Sequence, residues 1–298
     1  MRILLTGANG QVGWELVQRA AGRELITFDR DGLDITDAQA VGHAFAASRP
    51  QLLINAAAYT AVDRAEQEPE QAFAVNRDGA AQLAAACAEL GIPLLHISTD
   101  YVFDGTKHEP YQENDPPAPL GVYGGSKWAG EEAVRKALPT HLIIRVSWVF
   151  GRHGHNFVKT IRRLARERNE LKVVADQRGC PTYAGDIADV LLLLADRIAA
   201  GQNMAWGTYH YCGAPPTTWY HFAKTIVELA GNREPLTVQA VSAITTAEYP
   251  AAAPRPMNSV LDCQLIKNTF GIAPRPWQAG LEAMLETAGV CSLAVKSC

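Results

Sequence analysis

Arg2-Ile-Leu-Leu-Thr-Gly7-Ala-Asn-Gly10-Gln-Val-Gly13 is the stretch on which the fold turns. Arg2–Leu5 reads as a short buried strand, and a helical pattern begins after Gly10. A glycine turn in that position leaves backbone N–H groups unobstructed by a Cβ at Gly7 and Gly10. The helix start behind it adds partial positive charge, so the turn suits a pyrophosphate. Gly13 lets the helix lie close to the strands. The spacing G-x-x-G-x-x-G departs from G-x-G-x-x-G, so the strand before it and the helix after it carry the reading. About twenty residues further on, a second strand ends in Asp29-Arg30. The Asp can accept from a ribose 2′-OH and the Arg can pair with a 2′-phosphate. The sequence therefore predicts a dinucleotide, NADPH or NADH, without choosing between them.

Outward from this turn, short aliphatic runs alternate with helical patterns. Strand candidates are Arg2–Leu5, Glu24–Phe28, Gln51–Asn55, Pro93–Ile97 and His141–Val146. Each is apolar on both sides, as strands covered on both faces must be. Helices are expected after Gly10, from near Asp34–Asp37, from about Ala65 to Leu90, and after Tyr123. The pattern predicts an α/β fold with a doubly wound parallel, Rossmann-like sheet. Beyond about residue 150, helices at Asn156–Arg168, Gly185–Ala200, Thr218–Ala230 and Trp277–Thr287 are separated by Pro-bearing loops. We read residues 1–150 as the dinucleotide-binding domain, 151–288 as a smaller C-terminal α/β substrate lobe, and 289–298 as a tail. Lys172–Ala175 and Thr208–Tyr211 read as strands of either the main sheet or the lobe.

Composition narrows the function classes. The chain has 298 residues, 48% hydrophobic, with 27 Lys plus Arg against 31 Asp plus Glu and a net charge of −4. Such a balance offers no broad cationic field for nucleic acid or an anionic membrane. No apolar run reaches the roughly 18 residues of a membrane span, which predicts a soluble, cytoplasmic protein. The six cysteines are scattered without C-x-x-C or zinc-finger spacing, consistent with reduced thiols.

Tyr123-Gly-Gly-Ser-Lys127 opens a helical pattern, and residues at i and i+4 share a helix face. A phenol is a poor acid–base group at neutral pH until a nearby cation stabilises its phenolate. Lys127 can supply that charge, and Tyr123 can then protonate an alkoxide as hydride reaches a carbonyl carbon. Gly124 and Gly125 weaken a helix start and suggest close approach by a ligand or another backbone. The strand before this helix delivers Ser98, Thr99 and Asp100 to the edge where open α/β sheets bind ligands.

Taken together, Thr6-Gly7-x-x-Gly10-x-x-Gly13, Asn55-Ala-Ala-Ala58, Ser98-Thr99-Asp100 and Tyr123-x-x-x-Lys127 resemble the extended short-chain dehydrogenase/reductase superfamily. Narrower matches resemble the dTDP-4-dehydrorhamnose reductase family. They are Asn55-Ala-Ala-Ala-Tyr-Thr-Ala-Val-Asp63, Ser98-Thr-Asp-Tyr-Val-Phe-Asp-Gly105, Arg145-Val-Ser-Trp-Val-Phe150, Cys180-Pro-Thr182 and Arg255-Pro-Met-Asn-Ser259, and the resemblance runs to about residue 287. It implies NAD(P)H-dependent reduction of the 4-keto group of a dTDP-linked 6-deoxyhexulose, giving dTDP-L-rhamnose. Thr99 would orient the carbonyl, Tyr123 would donate the proton, and Lys127 would tune Tyr123 and hold the nicotinamide ribose. Cofactor contacts would fall to Gly7, Asn9, Gly10, Gln11, Val12, Gly13, Asp29, Arg30, Asp34, Ile35, Ala56, Ala57 and Ala58, with Tyr123 and Lys127. Substrate contacts would fall to Thr60, Ser98, Asp100, Tyr101, Trp148, Asn156 and Arg255.

The family also admits a homodimer bridged by Mg2+ through acidic side chains. The aligned positions are Glu15, Asp186 and Glu286, with Asp186 shorter than the Glu of the pattern. No metal ligand is assigned on that basis, and His153-x-His155 reads as a loop. Related nucleotide-sugar 4,6-dehydratases and 4-epimerases hold NAD tightly, and the dehydratases place Glu where this chain has Tyr101. A non-catalytic alternative also stands, because the regulatory subunit of methionine adenosyltransferase is similar to these reductases.

Overall fold

The computed structural model describes residues 1–286. The tail from Gly289, with Cys291 and Cys298, lies outside the described residues. Strand and helix alternate through the first half as β1 (Arg2–Thr6), α1 (Gln11–Arg19), β2 (Glu24–Phe28), α2 (Ala38–Ser48), β3 (Leu52–Asn55), α3 (Val62–Ala65), α4 (Pro69–Phe73), α5 (Ala80–Leu90), β4 (Leu94–Thr99), α6 (Val122–Ala137) and β5 (His141–Val146). The second half adds β6 (Val149–Phe150), α7 (Phe157–Glu167), β7 (Glu170–Val174), β8 (Arg178–Gly179), β9 (Thr182–Tyr183), α8 (Ala184–Ala199), β10 (Gly207–His210), β11 (Thr217–Thr218), α9 (Trp219–Gly231), β12 (Ala240–Ile244), α10 (Gln264–Phe270) and α11 (Trp277–Glu286).

Six strands pair in parallel in the order β10-β5-β4-β3-β1-β2. From β1 the chain moves to β2 on one side and then to β3 on the other. The order therefore reverses between β1 and β3, and a crevice opens beyond their carboxyl ends, where open α/β sheets bind ligands. Apolar clusters cover both faces. Leu16, Ile187 and Leu191 pack on one side, while Val41, Phe45, Leu83 and Val134 pack on the other. This is the doubly wound sheet that the continuous aliphatic runs predict.

Thr208–Tyr211, which the sequence could not place, becomes β10 beside β5 in the main sheet. The other unplaced strand becomes β7, which pairs with β12 outside that sheet. Around it, Phe150, Val158, Ile161, Phe222, Ile226, Trp277 and Leu281 form a separate core.

One element differs from expectation. The helix expected from Ala65 to Leu90 starts at Pro69 instead and runs to Leu90 as α4, a π segment at Ala74–Gly79, and α5 in unbroken succession. Pro69 starts α4 at a position where its missing N–H costs nothing. Within the π segment Asn76 turns its side chain to Tyr59, accepting from the backbone N–H at 2.8 Å and donating to the carbonyl at 3.0 Å. Its amide also reaches the Ser126 hydroxyl at 3.0 Å. On the neighbouring helix, a Cβ at Gly130 would stand 2.0 Å from the Asn76 carbonyl oxygen. The π segment thus joins the β3–α3 loop to α6.

Candidate active site

Gly7 carries φ +76, and a Cβ there would lie 2.5 Å from the Ala56 backbone. A Cβ at Gly13 would lie 2.1 Å from the Gly7 carbonyl oxygen. Only glycine allows β1, the turn and the end of β3 to meet this closely. The donors fall slightly further along than the spacing suggests. The Gly10 amide closes the turn on Gly7 and the Ala8 amide bonds Phe28, both at 3.0 Å. The unpaired amides at the start of α1, those of Gln11, Val12 and Gly13, remain for an anion.

At the end of β2, Asp29 accepts from Asn9 Nδ2 at 2.6 Å and from the amides of Asp31 and Gly32 at 3.1 and 2.9 Å. Arg30 is exposed beside it. Thr36 donates from its amide and its hydroxyl to Asp34, holding that carboxyl below its usual range, with further help from Arg30. Gly7, Asn9, Gly10, Asp29, Arg30, Asp34, Ile35, Ala56, Ala57, Ala58 and Thr60 line a cavity of about 490 Å³. Tyr59, Arg64 and Gln71 complete it. Asn9, Gly10, Ala56, Ala58 and Thr60 also line a second cavity of about 530 Å³, so the two form one crevice.

The second cavity holds Gln11, Val12, Ser98, Thr99, Asp100, Tyr101, Tyr123, Lys127 and Trp148. Tyr123 sits in the first turn of α6, edge-on to Tyr101 with ring centroids 5.7 Å apart. The close approach at Gly124 is to backbone, since a Cβ there would lie 2.1 Å from the Tyr101 carbonyl oxygen; Gly125 has only the Phe73 ring nearby, at 3.9 Å. Burial pushes the Tyr123 phenol up to about 12, opposed by a hydrogen bond with Thr99. Thr99 Oγ1 donates to Asp100 at 3.1 Å and accepts from the Tyr101 amide at 3.2 Å. Burial also raises Asp100 to about 6, despite hydrogen bonds from Ser259, Ser147 and Thr99.

Lys127 is buried and donates to the Ile97 carbonyl at 2.7 Å. Burial lowers its ammonium to about 8, and Glu131, one turn on, opposes that shift. Lys127 lines the same cavity as Tyr123, with one N–H turned to the Ile97 carbonyl, while burial, Thr99 and Asp100 act on the phenol. Beneath Lys127, burial works against ionisation of Glu131, but a bidentate pair with buried Arg145 holds its carboxylate below the usual range.

On the facing wall, Trp148 stacks on Trp219 with centroids 3.5 Å apart and planes 8° apart. Gly179 makes room for that indole, since a Cβ there would lie 2.3 Å from the ring. Trp219 also lines the cleft, with Ile97 and His155, and sequence reasoning missed all three. Its available signal was an aromatic directly after Thr218, the residue that caps α9. Two proposed substrate residues stand back from the cleft. Asn156 caps α7 and donates to Gln11 Oε1 at 3.0 Å and Gly151 O at 2.8 Å, so it meets the cleft through Gln11. Arg255 pairs with Asp63 at 2.8 Å on the rim near Tyr101.

The chain matches, across residues 1–290, the family model described as RmlD substrate binding domain. A dTDP-4-dehydrorhamnose reductase of Aggregatibacter actinomycetemcomitans is 47% identical over 285 residues, covering 94% of this chain and 97% of that one. This chain belongs to the dTDP-4-dehydrorhamnose reductase family. An Escherichia coli member is 42% identical over 292 residues, covering 96% of this chain and 97% of its own. The crystal structure of a dTDP-4-dehydrorhamnose reductase from Bacillus anthracis in complex with NADP superposes with a TM-score of 0.89 at 38% identity, over 96% of this chain and 99% of that one. A UDP-glucose 4-epimerase from Thermotoga maritima shares the fold alone, with a TM-score of 0.79 at 20% identity over 98% and 99% of the two chains.

The dinucleotide that this reductase family implies fits the residues present, because the amides left unpaired at the start of α1 stand at the crevice that Gly7, Asn9, Gly10, Gln11 and Val12 line. The bridging Mg2+ fits them poorly within one chain. Glu15 accepts from Arg19 and from the Tyr183 hydroxyl, both at 3.0 Å. Asp186 pairs with Arg275 at 2.9 Å, and Asp189 pairs with both Arg275 and Arg19. Guanidinium groups already neutralise these acids, and Glu286 is exposed at the end of α11.

Proposed function

We propose that this protein reduces the 4-keto group of dTDP-6-deoxy-L-lyxo-4-hexulose to give dTDP-L-rhamnose, using NADPH or NADH. The observation that carries the reading is the convergence of Thr99, Tyr123 and Lys127 in a cavity continuous with the glycine-turn crevice. Bound in that crevice, a reduced nicotinamide supplies the hydride. The Thr99 hydroxyl turns its one proton from Asp100 to the ketone oxygen and so orients it next to the Tyr123 phenol. A phenol is protonated at neutral pH, and burial raises this one further to about 12, so it holds a proton for the alkoxide formed at C4. An alkoxide is the stronger base and takes it. Lys127 uses one of its three N–H donors on Ile97, leaving two for the nicotinamide ribose.

In this reading residues 1–150 carry the cofactor, and the chain from 151 completes the substrate wall. Asn156 acts by fixing Gln11. Arg255, whose planar fork suits a diphosphate, faces the nucleotide. Cytosolic supply of reduced nicotinamide places the reaction in the cytoplasm, and no helix among the described residues is long and apolar enough to cross a membrane. The assay follows the reduced-nicotinamide absorbance band with and without the dTDP-linked ketone. Ketone-dependent loss of absorbance with dTDP-L-rhamnose as product is the expected result. Cofactor binding without turnover would favour the binding-subunit alternative, and NAD retained through purification would favour a dehydratase or epimerase.

A further inference from the structure

Asp63 lies on α3, and its one carboxylate ties two points of the 253–257 segment. Oδ1 accepts from the Ala253 amide at 3.1 Å, and Oδ2 accepts from Arg255 Nη2 at 2.8 Å. Arg255 Nη1 donates to the Ala253 carbonyl at 2.8 Å, which closes the ring. The Arg255 side chain is only 20% exposed, against 52% for Asp63. The guanidinium uses two of its five N–H donors in this arrangement, so three remain. It stands close enough to Tyr101 to act on that phenol, and Tyr101 lines the substrate cavity. Ala253, Pro254 and Pro256 line one small pocket together with Tyr101 and Tyr123.

By charge alone, Asp63 is badly placed, since a carboxylate near a diphosphate repels it. Its benefit must therefore be geometric. A long side chain that is already fixed loses less freedom when its ligand arrives. We propose that Asp63 is a positioning residue for the nucleotide-sugar diphosphate, holding Arg255 and the 253–257 segment in their binding arrangement along the cleft rim. This rests on the reading of Arg255 given under the proposed function.

The test measures binding of dTDP alone by calorimetry, and KM and kcat for the dTDP-linked ketone, in Asp63→Ala, Asp63→Asn and Arg255→Ala. NADPH affinity on the same preparations reports whether each variant is folded. Asp63→Ala should weaken dTDP and raise the ketone KM by about fivefold to tenfold, with kcat within about twofold and NADPH binding unchanged. Asp63→Asn should recover only part of the loss, because its single amide oxygen can accept from Ala253 or from Arg255 at the position it occupies, while the NH2 cannot accept at the other. Arg255→Ala should weaken dTDP at least as much. Unchanged dTDP affinity in Arg255→Ala would remove the diphosphate reading itself. A loss in Arg255→Ala with none in Asp63→Ala, or with no recovery in Asp63→Asn, would leave that reading standing and overturn the positioning role.

Discussion

Replacing Tyr123 by Phe removes one hydroxyl and little else. The ring keeps its edge-on contact with Tyr101 at 5.7 Å, so the fold loses only the hydrogen bond with Thr99. Such a bond contributes about 1 kcal/mol to stability, and melting should fall by only a few degrees. A positioned general acid contributes about 10² to 10⁴-fold in rate, or about 2.7 to 5.4 kcal/mol of barrier. The upper part of that range applies, because no neighbouring group can substitute. Asp100 accepts from Ser147 at 2.8 Å and from Thr99, and Lys127 gives one N–H to Ile97 and, in the reading above, its other two to the nicotinamide ribose. The expected outcome is a kcat lower by about a thousandfold with KM nearly unchanged, measured as ketone-dependent oxidation of NADPH. A folded Tyr123→Phe enzyme within about tenfold of wild-type kcat would refute the proton-donor assignment.

Two more outcomes follow from the same geometry. Lys127 has its ammonium lowered to about 8, so the charged form predominates below that pH and disappears above it; kcat/KM should fall on the alkaline side near pH 8, read from a full pH profile. Arg30 is exposed on the lip of the cofactor cavity, while both Asp29 oxygens already accept hydrogen bonds. Arg30→Ala should therefore raise KM for NADPH by about tenfold and leave NADH nearly unaffected, in parallel assays with each cofactor.

The sheet was legible because parallel strands covered on both sides must be apolar throughout, and Leu4, Leu53, Leu95 and Ile143 announce that directly. The glycine turn, and the placing of Tyr123 and Lys127 on one helix beside the cavity, were legible because they are local to a few residues. What escaped was decided by distant contacts. The π segment depends on Asn76 finding Tyr59 and on Gly130 yielding space from another helix. The placing of β10 depends on pairing with Leu142–Arg145, far back in the chain. Trp219 reaches the cleft only because Trp148, held at φ +45, turns its indole to meet it. Spacing puts Lys127 on the helix face of Tyr123, and only the position of the Ile97 carbonyl shows where one of its N–H groups goes.

α6 is fastened at three successive levels, at Gly124 against the Tyr101 backbone, at Gly130 against Asn76, and at Glu131 by two hydrogen bonds from Arg145 Nε and one from Arg145 Nη2. A helix seated that way cannot rock without separating backbones already in contact. The chemistry therefore sits on an immovable bank, and entry and exit of a bulky sugar nucleotide fall to the opposite one.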